Sequence, residues 1–185
     1  SDPDVVKVSH LNWKVDVDFD RKILNCVATY ELVYYEANDQ INKQRGSKTL
    51  LLDTNHLEIE SVTDPYTGEK LSYKLGKLQK PYLGRPLEIN LTGSNRVSIV
   101  YRTTHQSSAL QWLLPTQTAG KVYPYVFTQC QAIHARSLLP CQDAPAVKFT
   151  YRATVTSPIW ATAVLSAVHE STEVVNNVKT TVWKQ

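Results

Sequence analysis

The amino-acid sequence predicts an all-β fold. Apolar and polar residues alternate with a period of two in many short segments, which is typical of strands that bury one face. Turn-forming combinations of Pro, Gly, Asn and Asp separate these segments. No window of helical length has the i, i+3, i+4, i+7 apolar spacing of an amphipathic helix. The 185 residues, 42% of them hydrophobic, fit one domain with a single core, and we assign residues 1–185 to it.

The clearest alternation lies near the N-terminus. Apolar and polar side chains alternate from Leu11 to Phe19, and residues 24–34 repeat the pattern after a polar turn at residues 20–22. Two alternating segments joined by a short polar turn predict an antiparallel hairpin. One face of each strand should pack on the core.

The rest of the chain predicts shorter strands. Turn chemistry at residues 64–68 and 92–95 separates some of them, because Pro presets φ and Gly accepts a positive φ. The strands on either side of residues 92–95 predict a second hairpin. The predicted strands cover residues 50–53, 57–63, 71–75, 87–91, 97–103, 147–156, 161–168 and 178–183.

Three segments break the alternation. Residues 37–47 are polar and predict a loop, and Pro and Gly interrupt residues 77–86. Residues 104–125 are too apolar for a floppy loop, so we expect ordered irregular structure packed against the sheet or a neighbour. The predicted class is therefore all-β, with mixed or antiparallel sheets and no substantial helix.

Charge and cysteine content exclude several functions. The net charge is +3 and the basic residues are scattered, so we expect no nucleic-acid partner. No apolar stretch reaches the roughly 18 residues that cross a bilayer, so we expect no membrane partner. The odd number of cysteines, Cys26, Cys130 and Cys141, predicts reduced thiols. Together with the lack of a signal-peptide pattern, these thiols predict a cytoplasmic protein, and the Ser1 start is expected to reflect processing or engineering.

The sequence contains no convincing pattern of catalytic residues. None of its five His lies four residues from another, and the HExxH-like stretch at His169 has Glu173 where a second His is needed, so we expect no metal ligands. Cys130 and His134 would be far apart on an extended segment, which argues against a cysteine nucleophile. We therefore expect no catalytic residues in this chain.

Residues 129–151 are dense in polar and rigid side chains. Gln129 and Gln131 would share one face of an extended segment and present donors and acceptors to one site. Surface exposure or capping of the backbone is the alternative for both amides. Arg136 and Asp143 predict a bidentate ion pair that holds the intervening turn, and Cys141 predicts a small buried residue.

The same stretch carries a family resemblance. Its pattern QxxxARxxLPCxDxPxxK resembles the end of the N-terminal domain of M1-class zinc aminopeptidases. Two further segments, residues 107–121 and residues 51–60, are similar to that family in the same order. The motif residues are Arg136, Pro140, Cys141, Asp143 and Pro145.

The resemblance implies a saddle-like β domain that packs on a zinc catalytic domain not in this chain. It implies that Gln131, with Gln129 and Ala132 beside it, helps to bind the free N-terminus of a peptide substrate. The parent would be the enzyme, with zinc as its cofactor, and it would release N-terminal amino acids; a lipid epoxide is a second substrate that the resemblance allows. We expect the face from Gln129 to Asp143 to contact the missing domain through its apolar side chains, Ala132, Ile133, Leu138, Leu139 and Pro140. The alternative is a free-standing β-sandwich interaction module without an enzymatic parent.

Overall fold

A computed structural model describes residues 1–35, 48–78 and 80–185. The loop predicted at residues 37–47 lies outside this range. The described residues form strands and two short 3₁₀ turns, Pro115–Gln117 and Ala135–Ser137, and among them there is no α-helix, so the predicted all-β class is confirmed. None of the described segments is a helix long and apolar enough to cross a membrane. The strands are β1 (Val6–Asp18), β2 (Ile23–Tyr34), β3 (Lys48–Thr54), β4 (Leu57–Thr63), β5 (Tyr73–Leu75), β6 (Arg85–Leu91), β7 (Arg96–Thr103), β8 (Leu110–Leu113), β9 (Tyr125–Thr128), β10 (Thr150–Pro158), β11 (Val168–Val175) and β12 (Val178–Lys184).

Seven strands form one mixed sheet in the order β11-β12-β10-β1-β2-β7-β4. The predicted β1–β2 hairpin is confirmed, with Trp13 opposite Ala28. β1 and β10 pair in parallel, which makes the sheet mixed, and the other pairs are antiparallel. Alternate residues of β2 and β7, such as Tyr30 and Tyr101, are fully buried, which explains the strict period of two in their sequences.

Two smaller sheets, β3-β6-β5 and β8-β9, complete the fold. The predicted hairpin of β6 with β7 is wrong. β6 pairs with β3 and β5, whereas β7 pairs with β2 and β4. The connection at residues 92–95 carries the chain from one sheet to the other, because Leu87 and Ile89 are needed in the core opposite Leu50 and Leu52. Alternation shows which face is buried but does not identify the neighbouring strand.

The C-terminal strand boundaries also differ from the prediction. Residues 161–166 belong to no strand, and β11 begins at Val168 and includes His169 and Glu173. The Lys179 ammonium donates to the Ala161 carbonyl at 2.7 Å, so a side chain holds this segment in place of a strand ladder. Residues 104–125, expected to be irregular, include β8, which pairs with β9.

Candidate functional site

The Gln129–Ala132 segment follows the end of β9. The Gln129 amide donates to the Ala109 carbonyl at 2.9 Å, and this bond continues the β8–β9 pairing by one residue. The chain then leaves the extended conformation and turns over residues 131–134, with a cis peptide bond between Gln131 and Ala132. All three candidate substrate-binding residues, Gln129, Gln131 and Ala132, are exposed.

The two glutamines have different surroundings. The Gln129 Oε1 atom accepts the Gln131 backbone amide at 3.1 Å, so Gln129 caps its own segment, which is the alternative that the sequence left open. The Gln131 carboxamide has no hydrogen-bond partner among the described residues. Of the two amides, Gln131 is therefore the one whose acceptor oxygen is available to a ligand.

Cys130 and His134 lie closer than an extended segment allows, because the His134 amide donates to the Cys130 carbonyl at 2.9 Å and closes a turn. This geometry still does not produce a nucleophile. Burial, and secondarily the negative charge of Asp143, raises the pKa of the Cys130 thiol, which is the opposite of thiolate activation. The imidazole Nδ1 of His134 lies 2.7 Å from the Ser108 hydroxyl.

The predicted Arg136–Asp143 ion pair is present and almost fully buried. The guanidinium Nε donates to Asp143 Oδ2 at 2.9 Å, and the Arg136 backbone amide lies 3.3 Å from the same oxygen. One carboxylate oxygen thus accepts both groups, which differs from the predicted two-oxygen fork. Arg136 Nη1 also donates to the Leu83 carbonyl at 3.0 Å, and the Asp143 amide donates to Asp53 at 3.1 Å. These bonds attach the motif to the β3–β6 sheet.

Gln142 is a further residue of the motif that its sequence pattern did not single out. Its side chain is 3% exposed and bonds to the backbone of β1 twice, donating from Nε2 to Val6 at 2.7 Å and accepting the Val8 amide at 3.0 Å. The neighbouring Cys141 is buried, as predicted, and pairs with Asp53 through two backbone hydrogen bonds of 2.7 and 3.2 Å. Nothing in the sequence distinguishes Gln142 from an exposed glutamine, since its partners are more than 130 residues away.

The core also holds the motif by its carbonyl groups. The buried Tyr101 hydroxyl donates to Leu138 at 3.1 Å, and the buried Tyr30 hydroxyl donates to Pro140. The motif is therefore bound to β1, β2, β3 and β7, whereas Pro145 at its far end is exposed.

The exposed apolar surface is not where we expected it. Leu138, Leu139 and Pro140 are buried, so they do not form the exposed apolar face that we predicted, and the carbonyls of Leu138 and Pro140 accept hydrogen bonds from the core tyrosines. Instead, a cavity of about 970 Å³ opens between β9, the apolar face of β1 and residues 160–166, and we call it the β9 groove. Leu138 and Leu139 contribute to its wall.

Aromatic side chains line the β9 groove. Tyr123 stacks on Trp160 with ring centroids 4.7 Å apart, and Trp160 packs against Phe19 at the same separation. Tyr125 and Phe127 of β9 are about half exposed at the rim. Thr128 and Cys130 also line the groove, so it is continuous with the Gln129–Ala132 segment.

The described residues do not fit a zinc ion. Across residues 1–35, 48–78 and 80–185, no group of three or more His, Cys, Asp or Glu side chains is placed to hold a metal. His169 lies on β11 and its Nε2 is 2.8 Å from the Thr172 hydroxyl, not beside another histidine.

Residues 7–185 match the family model of the Peptidase M1 N-terminal domain, and the chain belongs to this family. It is 38% identical over 174 residues to leukotriene A-4 hydrolase of Xenopus laevis, covering 91% of this chain and 27% of the relative. It is 42% identical over 157 residues to leucine aminopeptidase 2 of Neosartorya fischeri, covering 82% of this chain and 24% of the relative. The chain therefore spans about a quarter of the length of these curated relatives.

Solved structures agree with this assignment. The structure of yeast LTA4 hydrolase in complex with bestatin superposes with a TM-score of 0.77 at 33% identity, over 97% of this chain and 26% of that one. An M1 zinc metallopeptidase from Deinococcus radiodurans gives a TM-score of 0.70 over 98% of this chain and 39% of that one. At 17% identity, the second likeness concerns the fold alone.

Proposed function

We propose that this chain is the substrate-edge domain of a cytoplasmic, leukotriene A4 hydrolase-like zinc aminopeptidase, and that Gln131 binds the free N-terminus of the peptide. The observation that carries the proposal is the exposed Gln131 carboxamide beside a motif anchored on both sides of the core. The free thiols Cys26, Cys130 and Cys141 support a reducing compartment.

The chemistry of Gln131 suits an ammonium group. An α-ammonium carries three donors and no acceptor, and a carboxamide oxygen accepts such a donor without adding charge. Acidic groups of the catalytic domain would supply the opposite charge. In the parent, the zinc would activate water and polarise the scissile carbonyl. Hydrolysis of a lipid epoxide would likewise be an activity of the parent, and no residue of this chain is assigned to it.

The catalytic domain is the proposed occupant of the β9 groove. The curated relatives are about four times as long as the part this chain spans, and the groove is continuous with the proposed substrate edge. Half-exposed aromatic side chains around one groove are typical of a protein interface.

Steady-state kinetics of the full-length parent test the role of Gln131. A hydrogen bond to a charged group is worth about 1.5–3 kcal/mol, so Gln131→Leu should lower kcat/KM by roughly one to two decades. Gln129→Leu should lower it less, because Gln129 touches only the backbone of Gln131. The melting temperature should hardly change in either variant. Unchanged kcat/KM in Gln131→Leu would refute the proposal.

A further inference from the structure

We infer that His134 is a positioning residue that fixes the orientation of the Gln131 turn, which we define as residues 130–134. This inference rests on the proposed function of Gln131 for its catalytic consequence, but its structural part stands on geometry alone. Gln131 and Ala132 are exposed, so packing cannot hold them. Their orientation depends on the Gln129 side chain, which accepts the Gln131 amide at 3.1 Å, and on the contacts at the two ends of the turn.

His134 closes the turn with three separate groups. Its backbone amide donates to the Cys130 carbonyl at 2.9 Å. Its carbonyl accepts the Ser137 hydroxyl at 2.8 Å, and its imidazole Nδ1 lies 2.7 Å from the Ser108 hydroxyl. The imidazole ring therefore connects His134 to Ser108, which lies two residues before the start of β8.

Ser108 links the imidazole to the buried Ser137. The Ser137 hydroxyl donates its single proton to the His134 carbonyl and accepts the Ala109 amide at 3.0 Å. The Ser108 hydroxyl lies 3.2 Å from the Ser137 hydroxyl and 2.7 Å from His134 Nδ1, and its one proton serves one of these two contacts. The result is a closed cycle through His134, Ser108 and Ser137.

These hydrogen bonds connect the exposed Gln131 turn to buried residues of the motif. Ser137 is completely buried, and its carbonyl accepts the Ser107 hydroxyl at 2.7 Å. Arg136, beside it, is held by Asp143. Without the imidazole, the turn keeps its backbone hydrogen bonds but loses the hydrogen bond to the Ser108 side chain that restricts its motion. Gln131 would then sample orientations in which its carboxamide misses the ligand.

Backbone dynamics of the 185-residue chain test the structural part. We expect His134→Ala to lower the ¹⁵N order parameters of Gln131 and Ala132 from about 0.85 to below about 0.6. Asn places a carboxamide atom, donor or acceptor, at nearly the position of Nδ1, whereas Gln places it near the position of Nε2. His134→Asn should therefore restore the order parameters and His134→Gln should not. Ser108→Ala, which removes the hydroxyl partner of the imidazole, should reproduce the effect of His134→Ala. Unchanged order parameters in either alanine variant would overturn the inference.

A double-mutant cycle in the full-length parent tests the catalytic consequence. His134→Ala should raise KM for a peptide about two- to tenfold with kcat nearly unchanged, as expected for the loss of one neutral hydrogen bond that supports binding. In the Gln131→Leu background, His134→Ala should cause no further change. An equal loss in both backgrounds would show that His134 acts elsewhere and would refute the positioning role. If Gln131→Leu itself has no effect on kcat/KM, the proposed function fails, and the order parameters decide the positioning role separately.

Discussion

The Gln142 side chain donates a 2.7 Å hydrogen bond to the Val6 carbonyl, although 136 positions separate the two residues in the sequence. Its oxygen accepts the Val8 amide, so one buried carboxamide supplies both partners that a neighbouring strand would give to β1. The motif is thus joined to the first strand of the large sheet by a side chain.

Removing this carboxamide should destabilise the fold. Gln142→Leu leaves the Val6 carbonyl and the Val8 amide buried without partners, and each such group costs about 1–3 kcal/mol. We expect the urea midpoint to fall with the m-value unchanged. The matched control is Gln106→Leu at an exposed turn position, which should change stability by less than about 0.5 kcal/mol. Equal effects of the two substitutions would contradict the structural role of Gln142.

Breaking the buried ion pair should cost more than breaking an exposed one. Arg136→Met leaves Asp143 charged and almost buried, and loss of one partner of such a pair costs about 3–5 kcal/mol. Arg152→Met removes an exposed partner of Glu170 and should cost at most about 1 kcal/mol. Chemical unfolding of both variants measures the difference. A comparable loss of unfolding free energy in the two variants would mean that the Arg136 ion pair is worth no more than an exposed one.

Stability should decline in alkali through the Cys26 thiol. Burial raises the pKa of Cys26 to about 12, outweighing the hydrogen bonds from Tyr101 and Trp13 that lower it. A raised pKa in the folded state means that the native protein holds a proton that the unfolded chain releases. The protonated Cys26 thiol therefore contributes fully to the free energy of unfolding below about pH 8.5. This contribution is lost as the pH rises toward 12, by up to about 1.4 kcal/mol per pH unit.

Cys26→Ala isolates this contribution. The variant should be less stable at neutral pH because it leaves a small cavity, but its unfolding free energy should fall less steeply between about pH 9 and 12. Cys26 also contributes to the raised pKa of Tyr30 and of Tyr101, so its removal lowers the loss of stability through these tyrosines as well, in the same direction. Parallel pH profiles for the two proteins would refute a buried, protonated Cys26.

The β9 groove should make the isolated chain self-associate. Its aromatic residues Tyr125 and Phe127 are about half exposed in this chain, and exposed apolar patches drive association. Phe127→Ser should reduce the mass-average size measured by light scattering at high concentration. Tyr66→Ser, at an exposed turn outside the groove, is the control and should not. A wild-type chain that stays monomeric, and does not bind a separately supplied catalytic domain, would count against the proposed interface.

Local patterns in the sequence predicted local structure well. The alternation from Leu11 onward gave the β1–β2 hairpin, because both strands bury one face and a short turn leaves only an antiparallel neighbour. The same alternation misassigned β6, since Leu87 and Ile89 are buried as deeply in the small sheet as they would be in the large one. Residues 161–165 alternate between half-buried and exposed, with Ala163 and Leu165 packed against the core, although they belong to no strand.

The candidate site was predictable only in part. Opposite charges at Arg136 and Asp143 indicated their pairing, because the turn between them is short and rigid. The separate roles of Gln129 and Gln131 depend on where the chain turns, and the sequence pattern does not indicate a turn after Cys130. The roles of Gln142 and Ser108 depend on partners distant in the sequence, which no single-sequence pattern reveals.

The most direct test of the central claim compares two ligands of the full-length parent. One is a competitive amino acid amide with a free α-ammonium, and the other is the same molecule with hydrogen in place of the amino group. Calorimetric titration of wild type and Gln131→Leu yields four dissociation constants. We predict that the substitution raises the Kd of the ammonium ligand by about one to two decades and leaves the Kd of the deaminated ligand unchanged. Only the ammonium ligand loses a charge-assisted hydrogen bond. An equal loss for both ligands, or no loss for the ammonium ligand, would contradict the assignment of Gln131 to the peptide N-terminus.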